Sequence, residues 1–327
     1  MSDITFVCCI EAGGLEELTI RMISSLRRWG GKFRNADIIA VKPRKGARLT
    51  HETLKFLEFN SVKFISSNAN TESWFKYMNK PHALKLAEKH ITTEYTCWID
   101  SDIIILKEPF TSAEYNQYDV SACASDKNIG SSGVNDMFEP YWGRLCEELG
   151  IDLRHDMPWI VTRDERQDKI RLYFNSGVFL YKSGIGFPKR YLGVCQKLLF
   201  SKISNPESGL FFTDQVALGL VVCLMRLSYC ELPLSDNFPI NSKKIKRNDV
   251  LSGDVAVLHY HDMMWPKHWE AVLTIVGNRN DEALEWLKEL GPMVNNSSFF
   301  NKVVASVFSN FREWKLSRFL KRCEIVR

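Results

Sequence analysis

The first hundred residues alternate short, unbroken apolar runs with segments of helical spacing, and this pattern narrows the possible folds more than any other feature. Ile4–Ile10 (ITFVCCI) reads as a strand buried on both faces, and Leu15, Leu18, Met22, Ile23 and Leu26 then recur with helical periodicity. Asp37–Val41 (DIIAV) predicts a second strand, Thr50–Leu57 a helix capped by Thr50, and Val62–Ile65 a third strand. Pro81 sits in the first turn of a further helix (PHALKLAEKH), where its missing amide costs little. Tyr95–Ile99 (YTCWI) follows and stops at Asp100-Ser101-Asp102. Strands separated by helices predict a parallel sheet with covering helices.

Later segments continue the scheme: strands at Val120–Ala124, Leu172–Tyr181 and Val255–Tyr260, and helices at Pro188–Phe200 and Thr213–Leu227. Between Asp126 and Arg171 the texture changes to glycines, serines and paired charges around Trp142, Met157 and Trp159, with one short helix at Trp142–Leu149. That reads as an insertion over a site. With 327 residues and no repeat or low-complexity linker, the chain predicts one large domain, 1–295, plus an appendage, 296–327.

Charge is balanced along most of the chain. The 43 Lys and Arg exceed the 39 Asp and Glu by four, and Phe311–Arg327, with six basic and two acidic residues, holds that entire excess. A charge-balanced body without a nucleic-acid motif argues against a nucleic-acid partner. Phe300, Val304, Val307, Phe311 and Trp314 recur at spacings of three and four before the basic turns, so the appendage reads as a basic amphipathic helix. It suits either an anionic membrane surface, through residues 297–327, or packing on the body or a partner.

Nine cysteines, an odd number without a Cys-x-x-Cys pair, read as buried reduced thiols. The apolar start is too short and lacks the basic leader of a signal peptide, and no run of about 18 apolar residues exists. A cytoplasmic protein, peripheral at the membrane if the appendage binds there, is the expectation; the sequons at Asn295 and Asn296 are then chance matches.

Four clusters carry chemistry. Asp100 and Asp102, one residue apart at a strand end, offer hard oxygen ligands to Mg²⁺ or Mn²⁺, which could hold a diphosphate. A solvated turn is the bland alternative. Val257–Asp262 runs an apolar strand into His259, His261 and Asp262, two histidines that would share one strand face beside a cation or phosphate. Lys267, between Trp265 and Trp269, suits phosphate charge or a packed surface. Asn175-Ser176-Gly177 inside a strand marks a bulge or a close backbone approach to a ligand. Asp214-Gln215 follow Thr213 on the first turn of a very apolar helix, where capping suits Thr213 and the helix dipole suits Asp214 but neither explains Gln215. Asp126 is a weaker acid of the same strand-end kind.

The order of parts, WIDSDIIIL, YFNSGVFLYKS, FTDQVALG and VLHYHDMMWPKHW, resembles the GT-A nucleotide-sugar glycosyltransferases, and among them the retaining enzymes similar to glycosyltransferase family 8. The likeness spans Asp3 to Trp269. It implies a Rossmann-like mixed sheet flanked by helices, with Asp100, Asp102 and His259 on a divalent cation, Mn²⁺ or Mg²⁺, and His261 as a substitute. It also implies Asn175 at the sugar site, Asp214 and Gln215 at the donor sugar and reacting centre, and Lys80 near the donor. Ser101, Ser176, Asp126 and Lys267 complete the expected donor contacts, and Trp142, His155, Asp156 and Trp159 the acceptor side of the insertion. The family's terminal His-x-x-Gly-x-x-Lys-Pro-Trp is altered here: the glycine is missing and Lys267 is displaced.

The implied activity is hexosyl transfer from a nucleotide sugar, a UDP-sugar first, to a glycan or lipid-linked acceptor of polysaccharide synthesis, with retention. A sugar-1-phosphate nucleotidyltransferase is the rival enzyme, but Glu16 and Glu17 follow Gly13-Gly14 where a triphosphate would need positive charge. A non-catalytic nucleotide-sugar-binding protein is opposed by the intact acidic pair and His259.

Overall fold

The computed structural model describes residues 3–111, 114–164, 166–243, 254–294 and 299–326. Asn295, Asn296 and the proposed 295/296 boundary lie outside the described residues. The strands are β1 (Ile4–Cys9), β2 (Ile38–Lys42), β3 (Val62–Ser66), β4 (Tyr95–Ile99), β5 (Ile103–Ile105), β6 (Val120–Ala124), β7 (Trp159–Val161), β8 (Lys169–Arg171), β9 (Phe174–Lys182), β10 (Ile203–Ser204), β11 (Tyr229–Glu231), β12 (Phe238–Pro239), β13 (Val257–His259) and β14 (Glu324–Ile325). The helices are α1 (Gly14–Trp29), α2 (His51–Phe59), α3 (Asn79–Ala87), α4 (Glu139–Leu149), α5 (Phe187–Ser201), α6 (Thr213–Met225), α7 (Trp269–Gly277), α8 (Asp281–Leu290) and α9 (Phe299–Leu320).

The main sheet has seven strands in the order β11-β6-β9-β4-β1-β2-β3. β1 to β4 are parallel as the alternation predicts, while β9 runs antiparallel to both β4 and β6, making the sheet mixed. The apolar run of β1 serves both faces: Val7 joins the core under α3, α5 and α6, whereas Phe6 and Cys8 join the core under α1. Thr50 caps α2 as expected, accepting from the Thr53 amide. α6 departs from expectation: it begins at Thr213 itself, whose hydroxyl donates to the Leu210 carbonyl and caps nothing.

A second sheet, β12-β13-β5, decides where the site forms. Antiparallel pairing of β13 with β5 sets His259 opposite Ile103, and the Tyr260 amide donates to the Asp102 carbonyl at 3.0 Å. The end of β13 is thereby fastened to the turn that carries both aspartates.

The insertion contains α4 and the β7–β8 hairpin. Trp142 is fully buried there, donating Nε1–H to the Ile129 carbonyl at 2.8 Å and standing edge-on to Tyr173. At the far end of the chain β14 pairs with β10, and Phe319 of α9 packs against Trp74 with ring centroids 4.8 Å apart.

α9 carries two apolar faces where the sequence suggested one stripe. Leu316 and Phe319 pack on the body and Val304 and Phe308 are half-buried, whereas Val303, Val307, Phe311 and Trp314 are exposed. Val304 therefore leaves the expected stripe and Val303 takes its place. Of the nine free cysteines five are buried and Cys9, Cys223, Cys230 and Cys323 are partly exposed, correcting the expectation of a uniformly buried set. Among the described residues no helix is long and apolar enough to cross a membrane.

Candidate active site

A cleft of about 790 Å³ opens at the C-terminal ends of β1 and β4, where open α/β sheets hold their ligands. Asp100 and Asp102 reach it together because side chains alternate at the end of an extended strand. Ser101 between them turns inward, its hydroxyl donating to the Cys9 carbonyl at 2.9 Å and accepting from Thr19. The two carboxylates then take different partners.

Asp102 faces the histidines. Its Oδ1 lies 3.3 Å from His259 Nε2 and its Oδ2 lies 3.6 Å from His261 Nδ1. One ligating atom from each of these three residues falls within 4.8 Å of the other two. His259 is brought in by β13, and His261 by a left-handed backbone turn (φ 45°) just after it. The imidazoles stand with centroids 3.9 Å apart. Asp262 turns away to hold Ser242, accepting from its amide and hydroxyl.

Hydrogen-bond logic fixes the His259 tautomer. The Asn175 Oδ1 accepts from the Gly177 amide at 2.9 Å and from Asn237 Nδ2 at 2.7 Å. Asn237 therefore presents its Oδ1 to His259 Nδ1, 3.0 Å away, and that nitrogen must carry the proton. Nε2 is left as a lone pair aimed at a carboxylate, an arrangement completed by a cation between them. Burial, with His261 beside it, pushes the His259 pKa down, while Asp102 opposes the fall. A neutral imidazole beside carboxylate oxygen suits Mn²⁺, so these residues fit the expected metal.

Asp100 stands outside that trio. It accepts from Trp98 Nε1 at 2.7 Å and faces Lys80 Nζ at 3.4 Å; burial pushes its pKa up, and Lys80 opposes the rise. Lys80 is nearly buried, and its ammonium also meets Asp214 Oδ2 (2.9 Å), the Ser176 carbonyl (2.7 Å) and the Ser176 hydroxyl (2.9 Å). Its three protons are thus already claimed, and the expected donor contact by Lys80 becomes a clamp between Asp100, Asp214 and the β9 bulge. The two carboxylates raise its pKa against the effect of burial.

The bulge itself is where the sequence placed it. Between Ala122–Phe179 and Ala124–Phe174 the register of β6 and β9 slips, throwing out Asn175, Ser176 and Gly177. The glycine's close approach is to the protein, since a Cβ at Gly177 would sit 2.4 Å from His259 Cε1. Asn175 Nδ2 points to Gln215 Oε1 at 3.4 Å, and Gln215 Nε2 donates to Ser125 at 3.0 Å. An amide chain thus runs from His259 to the first turn of α6.

Other expected residues scatter. Asp126 lines the cleft but pairs with Arg163 at 3.1 Å. Lys267 lies exposed on the 266–268 turn, away from the cleft. None of the four expected acceptor residues lines the cleft: Trp142 is core, His155 and Asp156 are exposed elsewhere, and Trp159 stacks under the Arg171 guanidinium at 4.1 Å. The insertion contributes Arg163 and Asn128 instead. Arg163 and the paired Glu11 and Arg44 on the cleft wall, and the buried Asn237 behind His259, escaped the sequence reading. Only the strand-end positions of Glu11 and Arg44 could have signalled them.

A family model described as the Rhodobacterales glycosyltransferase domain matches residues 6–225. No curated protein matches the chain. Solved structures similar to it include the apo bifunctional glycosyltransferase WbbM, at 11% identity over 86% of this chain and 51% of that one, TM-score 0.48. The galactosyltransferase LgtC in complex with donor and acceptor sugar analogues aligns at 14% identity over 84% and 95% of the two chains, TM-score 0.47. The glycosyltransferase GlyE of Streptococcus pneumoniae TIGR4 aligns at 14% identity over 90% and 66%, TM-score 0.48. The chain spans about half the length of the first of these, 51%.

Proposed function

The chain belongs to the Rhodobacterales glycosyltransferase domain family, and we propose that it moves a hexosyl group from a nucleotide sugar, a UDP-sugar first, to a glycan or lipid-linked acceptor, with a divalent cation and with retention. One observation carries this reading: Asp102, His259 and His261 converge on the wall of a 790 Å³ cleft, with His259 Nε2 3.3 Å from an Asp102 carboxylate oxygen. Asp102, His259 and His261 would hold Mn²⁺ or Mg²⁺, with Asp100 alongside. Bound there, the cation would supply positive charge for the diphosphate leaving group.

The chain's own residues do the rest. Lys80 bridges Asp100 and Asp214, and Ser176 donates to Asp214 Oδ2 at 3.0 Å, so the Asp214 carboxylate is preoriented at the cleft. Gln215 and Asn175, locked to each other, present amides to the donor sugar. Preorganised dipoles of this kind stabilise developing charge without reorganising during reaction. Peripheral contact of residues 297–327 with an anionic membrane surface would bring a lipid-linked acceptor within reach.

Calorimetry with UDP, GDP and CDP and their sugars, with and without Mn²⁺, tests the reading. One nucleotide should bind at least tenfold tighter with the metal, and Asp102→Ala should lose that gain and transfer activity while keeping its fold by circular dichroism. Equal nucleotide binding without metal, or full transfer by Asp102→Ala, overturns it.

A further inference from the structure

A second concavity, about 710 Å³, lies between α9 and the body. Trp74 and Phe200 form one wall; Trp314 and Phe319 form the other, with Lys315, Arg318, Lys321 and Arg322 around them. No carboxylate answers these four cations among the described residues. Three of them rest over rings instead: Lys315 over Phe311 at 4.6 Å, Arg318 over Trp314 at 4.9 Å and Arg322 over Phe319 at 5.6 Å. Four like charges between Lys315 and Arg322, on the last turns of α9 and the turn after it, repel one another, and an anion from outside would relieve that repulsion. The ring faces are half wet as well, since Phe200 and Trp314 are 54% and 53% exposed. Beside them the outer face of α9 offers Val303, Val307 and Phe311 to solvent. Cations interleaved with amphipathic rings and exposed aliphatics match a bilayer interface better than bulk water.

The groove is joined to the cleft. Phe319 contacts Trp74 (4.8 Å), Trp74 meets Phe75 (5.8 Å), Phe75 meets Tyr77 (5.2 Å), and Tyr77 meets Phe211 (5.1 Å). Tyr77 and Phe211 line the cleft mouth, and Lys76 stands 5.0 Å over Tyr77. A row of touching rings, with Phe75 buried in its middle, thus connects the groove to the mouth.

We propose that the groove binds the phosphate headgroup of an anionic phospholipid, so that the cleft mouth, joined to the groove by these packed rings, opens near the membrane surface towards a lipid-linked acceptor. The last clause rests on the acceptor reading above; headgroup binding does not.

The test uses the full chain and vesicles of phosphatidylcholine alone or with about one-third phosphatidylglycerol. Each basic residue near an anionic surface contributes roughly 1 kcal/mol, so R318E/K321E/R322E should weaken binding to the mixed vesicles by at least about 100-fold. Trp314→Ser should weaken binding as well, while both variants keep the wild-type nucleotide affinity by calorimetry, which shows that they fold and isolates the groove from the cleft. Equal binding to both vesicle types, no binding to either, or a triple variant that binds like wild type overturns the proposal. Calorimetric binding of inorganic phosphate that the triple variant loses, without vesicle binding, would assign the groove to a free anion and also overturn it. If no nucleotide binds the wild type, the transfer reading fails while the vesicle comparison still decides the groove; circular dichroism then serves as the folding control.

Discussion

The cleft and the groove beside α9 handle positive charge in opposite ways. In the cleft one buried ammonium, Lys80, is saturated by Asp100, Asp214 and Ser176, so charge fixes geometry. In the groove four cations meet no carboxylate among the described residues and three of them stand over aromatic faces, so charge awaits an external partner. Buried charges must be answered inside the protein because their desolvation is costly; exposed ones are screened and can be left for a ligand.

Substitution separates the two regions most sharply at Lys80. Lys80→Met should destabilise the fold by about 3–5 kcal/mol, because two carboxylates are left buried without their cation, whereas Arg318→Met should stay within about 0.5 kcal/mol. Parallel urea titrations measure both, and equal losses would erase the distinction.

A smaller effect is expected at Asp236, a buried acid whose Oδ1 accepts from the Phe110 amide while its Oδ2 meets no hydrogen-bond partner among the described residues. Burial pushes its pKa up to about 6. A folded-state pKa above the ordinary carboxylate value means that the native protein binds the extra proton between roughly pH 4 and 6, so this group's contribution to stability falls as pH rises through that window. Asp236→Asn should therefore raise stability by about 2 kcal/mol at pH 7.5, with a gain that shrinks towards pH 4. A gain independent of pH would place the cause elsewhere.

The finest contrast concerns Asn237, a positioning residue with no exposed surface. Asn237→Asp retains the acceptor for His259 Nδ1–H but loses the donor to Asn175; Asn237→Leu loses both. Mn²⁺ affinity, read by electron paramagnetic resonance, should fall about 10–100-fold in the leucine variant and far less in the aspartate variant. Nitrogen NMR of the metal-free protein should show His259 protonated on Nδ1 in wild type and in Asn237→Asp. Equal Mn²⁺ affinity in the two variants would reduce Asn237 to a packing role.

Much of this was legible in the chain. The apolar run of β1, the Thr50 cap and the bulge at Asn175-Ser176-Gly177 all depend on neighbours in sequence, and local chemistry decides them. The acceptor residues show the reverse. Trp142 and Trp159 looked alike amid polar residues, yet one fills the core and the other lies under Arg171, because burial depends on what α4 and the β7–β8 hairpin pack against. The single stripe expected on the last helix failed for the same reason: periodicity shows which residues share a face but not which face meets the body.

By itself the sequence determined the order of strands and helices and the presence of two carboxylates at the end of β4, since strand runs, caps and turns are written in residues a few positions apart. Tertiary structure decided what those carboxylates do. Asp100 and Asp102 are chemically identical and two positions apart, but β13 brings His259 and His261 to one while α3 brings Lys80 to the other. A carboxylate's role is set by the charges within a few ångströms of it, and those charges arrive from distant parts of the chain only when the sheets assemble.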